Sequence, residues 1–172
     1  MCGELSPWDE AVNFHGHSCP GLAIGYRVAQ IALRELGVQR ARDEELVAIV
    51  ENDSCSVDAI QVLTGCSFGK GNLIYHPWAK QVYTIGNRRN KEALRIALKP
   101  MPAGAKDKLA RLEEILAMPE QDFCALAKVE LELPPRARLF KSLQCSECGE
   151  MMGEVKARVK NGQVVCIPCA EA

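Results

Sequence analysis

Thiolates and imidazole nitrogens do nucleophilic and metal chemistry, and this chain carries nine cysteines and three histidines. Four of the cysteines form the pattern Cys145-x2-Cys148-x17-Cys166-x2-Cys169. Two Cys-x2-Cys pairs at this spacing predict a tetrahedral zinc whose four thiolates leave no open position, so the ion serves the fold and not a reaction. Asn161-Gly162 between the pairs is a two-residue hairpin turn signal. A rubredoxin-like iron site uses similar pairs, but no aromatic residue follows Phe140 to pack around it. Two disulfides would suit an oxidising compartment better than a reducing one. Residues 145–172 hold almost no large apolar side chains, and a segment this short needs a metal or a disulfide to hold its shape. Lys156, Arg158 and Lys160 are nearly balanced by Glu147, Glu150, Glu154 and Glu171, so the clustered positive charge that nucleic-acid binding requires is not indicated.

The second chemical stretch is FHGHSCPGLAIGYR, residues 14–27. Pro20 is a good first helical residue, which makes Ser18 or Cys19 the cap and sets a sulfur before unpaired N–H groups at a positive dipole end. That setting stabilises a thiolate, which is both nucleophile and ligand, with His15 and His17 at hand as bases or co-ligands. In the metal-free case Cys19 is the nucleophile and His17 its base. His15 can equally hydrogen-bond loop backbone, and His76 before Pro77 reads as a turn residue.

These groups need elements to hold them. At 172 residues the chain can bury one real core with a small appendage. We expect an α+β core domain over residues 1–134, a linker over 135–144 that opens on Pro134-Pro135, and a four-cysteine module over 145–172. Residues 1–13 read as an irregular arm with Trp8 tucked against the core. From Leu22 a helix runs to a stop at Gly37, with Leu22, Tyr26, Ala29, Leu33 and Leu36 on one stripe and Ile24, Val28 and Ile31 on another. Burial on two sides suggests a domain centre or a homodimer surface. Short strands are expected at 46–50, 72–75 and 81–85, forming a small mixed or antiparallel sheet, with a helix over Val57 to Leu63 that has Asp58 in its first turn. Helical periodicity is read over Asn90 to Leu98, Ala105 to Met118 and Glu120 to Lys128, and alternation over Val129 to Leu133 predicts a half-exposed strand.

Gly65 to Gly71 is not a nucleotide phosphate loop, because the required first glycine and the Ser or Thr after Lys70 are missing. Its glycines let backbone pass close to a ligand, with Lys70 offering a charge to an anion. Arg88, Arg89, Lys91, Arg95 and Lys99 read as a solvated helix face. Cys2 and Cys124 have no apparent company. The net charge of -1 gives no pull toward nucleic acid or membrane. No apolar run reaches the roughly 20 residues of a membrane span, and MCGELSPWDE lacks the features of an export signal, so a cytoplasmic protein is expected.

Taken together, FHGHSCPGLAIGYR, CSVDAIQVLTGCSFGKGNL at 55–73 and the terminal four-cysteine module resemble the family named for the E-subunit of formylmethanofuran dehydrogenase. The resemblance implies an α+β core, often dimeric, and a treble-clef-type zinc finger. It also implies a link to the molybdenum or tungsten enzyme that interconverts carbon dioxide and formylmethanofuran. Carried over by residue, it points to His17, Cys19, Cys55 and Cys66 as a second site for zinc, nickel or iron, with Tyr26, Asp58 and Lys70 as polar companions that bind substrate. The expected role is a metal-binding accessory to molybdenum/tungsten redox or one-carbon metabolism, with components of that enzyme as partners. The alternatives are a stand-alone metal- or thiol-dependent enzyme for a small anionic substrate, and a metal or cofactor delivery protein.

Overall fold

In a computed structural model the described residues are 5–101, 104, 107–130, 132–136 and 138–172. Cys2 and parts of the expected segments 105–118 and 129–133 lie outside them. The chain divides into two units, Met1–Arg136 and Ala137–Ala172.

The first unit begins with a helix, α1 (Pro7–His15), where an irregular arm was expected. Ser6 caps it by accepting from Asp9 N–H, Pro7 starts it, and Gly16 ends it at φ 91°. This is the same cap-then-proline signal that starts α2 (Pro20–Glu35), whose cap is Cys19. Strand β1 (Leu46–Val50) leads to α3 (Ser56–Thr64), followed by β2 (Leu73–Tyr75), β3 (Val82–Asn87) and β4 (Glu92–Leu98). Then come α4 (Lys108–Ala117), a single turn α5 (Glu120–Phe123) and β5 (Cys124–Glu130).

The five strands form one mixed sheet in the order β2-β1-β3-β4-β5, parallel only between β1 and β2. Two expected helices are therefore strands. Residues 92–98 pair antiparallel with β3 on one side and β5 on the other, and Leu94 and Ile96 enter the core while Arg95 turns to the opposite face. The sequence EALRIAL suits a helix by propensity, but two neighbouring strands satisfy its backbone and its alternation matches the pleat. The same competition ends α5 at Phe123 and gives 124–130 to β5. The basic residues 88–99 thus lie on a turn and a strand, where Arg95 faces Glu51 at 3.7 Å.

Within the chain α2 packs mainly against α3 and α4, which leaves Leu22, Val28, Ala29 and Ile31 of its two apolar stripes buried and Ile24, Tyr26, Leu33 and Leu36 half-buried. Among the described residues no helix is long and apolar enough to cross a membrane.

The second unit is two hairpins and a short helix. β6 (Ser142–Gln144) pairs with β7 (Met151–Gly153), so part of the expected linker belongs to this fold, and β8 (Arg158–Lys160) pairs with β9 (Gln163–Val165). The second hairpin turns at Asn161 (φ 53°) and Gly162 (φ 78°), as the sequence predicts. A helical turn, α6 (Ile167–Glu171), closes the unit from its cap at Cys166. Among the described residues of this unit only Cys145 and Val165 are buried, as expected of a fold organised by a metal.

Candidate metal and thiol site

The four terminal cysteines converge. Their sulfurs all lie within 4.8 Å of one another, and Cys148 Sγ is 3.8 Å from Cys166 Sγ. Four ligands placed tetrahedrally about 2.3 Å from zinc are about 3.8 Å apart, so the residues fit that ion. Backbone amides are already aimed at the sulfur charge. Cys166 N–H donates to Cys145 Sγ at 3.3 Å, and donors from Cys148 and Cys166 lower the Cys145 thiol to about 6. Cys169, crowded by the other sulfurs, is pushed well above the usual range, a repulsion that a divalent cation removes. Gly149, at φ 77°, makes the tight turn after the first pair. This is a structural zinc module.

A second convergence lies in the core domain, where α1 ends, α2 begins and α3 begins. His15 is in the last turn of α1 and Cys19 is the cap of α2, where its Sγ accepts from Leu22 N–H at 3.3 Å. His15 Nδ1 donates to Asp58 Oδ2 at 2.7 Å, because an ionised carboxylate only accepts. That bond fixes the tautomer and leaves His15 Nε2 as an acceptor, 3.7 Å from Cys19 Sγ. His17 stands exposed beside it, with ring centroids 4.6 Å apart. His15, His17 and Cys19 each offer a ligand atom, all within 4.8 Å of one another.

Cys55, the cap of α3, joins this group from the side. Its thiol is pushed up, first by burial and then by the neighbouring Cys19. What lets α3 come so close is a pair of glycines four apart on α2. A Cβ on Gly25 would lie 1.9 Å from the Ser56 carbonyl oxygen, and one on Gly21 would lie 3.1 Å from Cys55 Cβ. Ser56 is pinned in turn by Tyr83, their hydroxyls 2.7 Å apart. Beside the group opens a cleft of ≈ 390 Å³ lined by His15, Asp53, Cys55, Asp58, Phe68 and Tyr75, among others. A larger cleft of ≈ 700 Å³ near Glu35 and Glu130 is lined by no cysteine or histidine, so its size does not make it the chemical centre.

The other expected site residues stand elsewhere. Cys66 is fully enclosed in the apolar core past the far end of α3, and burial raises its thiol to about 11. Lys70 spends its ammonium on the Asp43 carbonyl at 3.0 Å. Tyr26 accepts from Gln30 and packs edge-on against Trp8. Cys124 is buried at the start of β5. The histidine that meets the sulfur through a fixed tautomer is His15, for which the sequence offers both a base or co-ligand role and a loop hydrogen bond, and not His17, the base the sequence favours. Recognising Ser6-Pro7 as a helix start would have placed it at a helix end facing Cys19.

Comparison with known proteins agrees with this architecture. Residues 14–133 match the family model described as "FmdE, Molybdenum formylmethanofuran dehydrogenase operon", and residues 138–172 match the prokaryotic dksA/traR C4-type zinc finger. A probable S-adenosyl-L-methionine-binding protein of Archaeoglobus fulgidus is 33% identical across 93% of this chain, which spans 51% of that protein's length. A crystal structure of a tungsten formylmethanofuran dehydrogenase FmdE-like protein from Syntrophus aciditrophicus superposes with a TM-score of 0.70 at 25% identity, covering 94% of this chain and 89% of that one. This chain belongs to the FmdE family, with the family domain at 14–133 followed by a C4-type zinc finger.

Proposed function

We propose that the core domain holds a transition metal, zinc, nickel or iron, on His15, His17 and Cys19, and that the protein is an accessory to molybdenum/tungsten redox or one-carbon metabolism. The observation that carries the metal reading is the Asp58–His15 bond. A carboxylate on Nδ1 turns the Nε2 lone pair toward Cys19 and His17, the arrangement that orients histidine ligands in metal sites. Two nitrogens and a sulfur suit these metals and leave a position open. When bound, the ion would supply Lewis-acid activation of a water or substrate at that position. Leu22 N–H and the start of α2 hold the Cys19 sulfur, and the cleft beside Asp58 gives access.

The accessory role rests on family kinship, and a large molybdenum or tungsten enzyme is its partner of first choice. Metal analysis tests the site. The 172-residue chain should carry about two metal equivalents, and Cys19→Ala should lose one while keeping the finger zinc. A single equivalent in wild type, unchanged by Cys19→Ala after reconstitution with zinc, nickel and ferrous iron, would sink the metal reading. Turnover of a small molecule by the protein alone, with no molybdenum or tungsten enzyme co-purifying, would overturn the accessory role.

The same geometry favours a second reading, thiol chemistry. Asp58, His15 and Cys19 line up as orienter, base and nucleophile, with His15 in the role expected of His17. We carry over S-adenosyl-L-methionine from the archaeal relative as a candidate ligand for the cleft, to be tested by calorimetric titration.

A further inference from the structure

Two thiols meet in the core domain, and neither the zinc module nor the proposed metal site uses both. Cys19 and Cys55 are free, half-buried and attached to the first residues of two packed helices. A Cβ on Gly21 would sit 3.6 Å from Cys55 Sγ and 3.9 Å from Cys19 Sγ, so the two sulfurs share a space that only glycine leaves open. His15 Nε2 stands 3.7 Å from Cys19 with its other nitrogen held by Asp58, whereas no base of this kind serves Cys55 among the described residues. The asymmetry assigns different parts to the two sulfurs. Cys55 lines the cleft, which gives a small molecule a way in.

We propose that Cys19 and Cys55 are a reversible thiol–disulfide pair that exchanges with low-molecular-weight disulfides, Cys19 attacking and Cys55 resolving. This deepens the thiol reading above and names its substrate class. In the first step His15 takes the Cys19 proton, and Cys19 sulfur attacks one sulfur of R–S–S–R. The S–S bond breaks, a mixed disulfide forms on Cys19, and the leaving thiolate departs with the proton from His15. In the second step Cys55 sulfur attacks the Cys19 sulfur. The mixed disulfide breaks, the Cys19–Cys55 bond forms, and the second thiolate leaves with the Cys55 proton. Two protein thiols are oxidised and one small disulfide is reduced to two thiols, so atoms and electrons balance without another reactant. Closing the pair removes Cys19 as a metal ligand, so the oxidised protein cannot hold an ion on it.

The test treats the 172-residue protein, carrying a single zinc equivalent that Cys19→Ala does not remove, with oxidised glutathione, quenches it with acid and N-ethylmaleimide, and maps the peptides by mass spectrometry. Wild type should yield a Cys19–Cys55 linked peptide with the loss of two hydrogens and little lasting glutathione adduct. Cys55→Ser should leave glutathione stranded on Cys19. Cys19→Ser should show no linked peptide and no gain of adduct at Cys55. Gly21→Ala, which keeps both thiols but pushes on Cys55, should slow closure and accumulate the mixed disulfide; it also guards against a Cys55 variant that merely misfolds. The proposal is overturned if wild type keeps the Cys19 adduct as Cys55→Ser does, or if neither residue is modified. Metal content is measured separately, so failure to find a second ion leaves this readout standing.

Discussion

Replacing Gly25 with alanine tests whether the seam between α2 and α3 is what builds the site. In a free helix the change would stabilise by about 1 kcal/mol, because glycine is the poorer helix former. Here the new methyl carbon would lie 1.9 Å from the Ser56 carbonyl oxygen and 2.6 Å from its Cα. The obstacle is backbone at the first turn of α3, and the Ser56 hydroxyl is locked to Tyr83 and Ser54, so α3 must move as a body. Overpacking of this kind costs about 1–3 kcal/mol, and a clash with pinned backbone belongs at the upper end or beyond. Net destabilisation of about 2 kcal/mol is expected, or roughly 4–8 °C in Tm for a chain of this size. Urea and thermal unfolding followed by circular dichroism measure it. Gly69→Ala is the control, since a Cβ there meets nothing within 4 Å and its effect should stay within about 0.5 kcal/mol. A Gly25→Ala protein as stable as wild type, with unchanged Cys19 reactivity, would refute the seam.

Zinc removal should act on one unit alone: a strong chelator is expected to erase amide protection in 138–172 while the sheet of the core domain stays folded, because the contacts divide at Arg136 and the second unit has little core of its own. Hydrogen exchange reads both units, and a protected β8–β9 hairpin after metal loss would contradict the zinc-organised fold. Alkaline stability should fall through Cys66. Its thiol is raised from 9.0 to about 11 by burial, so below pH 9 it is neutral folded or unfolded and contributes no pH dependence. Between pH 9 and about 11 only the unfolded chain ionises there, and stability drops by about 3 kcal/mol in all before levelling. Cys66→Ala should remove that step from the pH profile of urea midpoints, and an unchanged profile would show that the buried thiol is not the cause.

How far the site could be read from sequence varied with the range of the interactions involved. A helix start at Pro20 and the Asn161-Gly162 hairpin follow from nearest neighbours and both stand in the structure, which makes Cys19, of the two candidates Ser18 and Cys19, the cap. The EALRIAL segment could not be read so, since its helical propensity gives way to pairing with β3 and β5, one of which lies some thirty residues downstream. The choice of His15 over His17 as the base was not legible for a related reason. The role of His15 depends on Asp58, 43 residues away, and on α1, whose start at Ser6-Pro7 carries a legible but overlooked signal.

By itself the sequence determined the zinc module, because four thiolates at fixed spacing around one ion leave few ways to fold, and it determined the chemical character of the Phe14–Arg27 stretch. The tertiary structure alone decided which groups meet there. It brought Asp58 and Cys55 to Cys19 through a glycine seam on α2 and set Cys66 apart in the core. The physical reason is that a ligand pattern on one loop is a local property, whereas a site shared by three helix ends depends on how closely their backbones can pack.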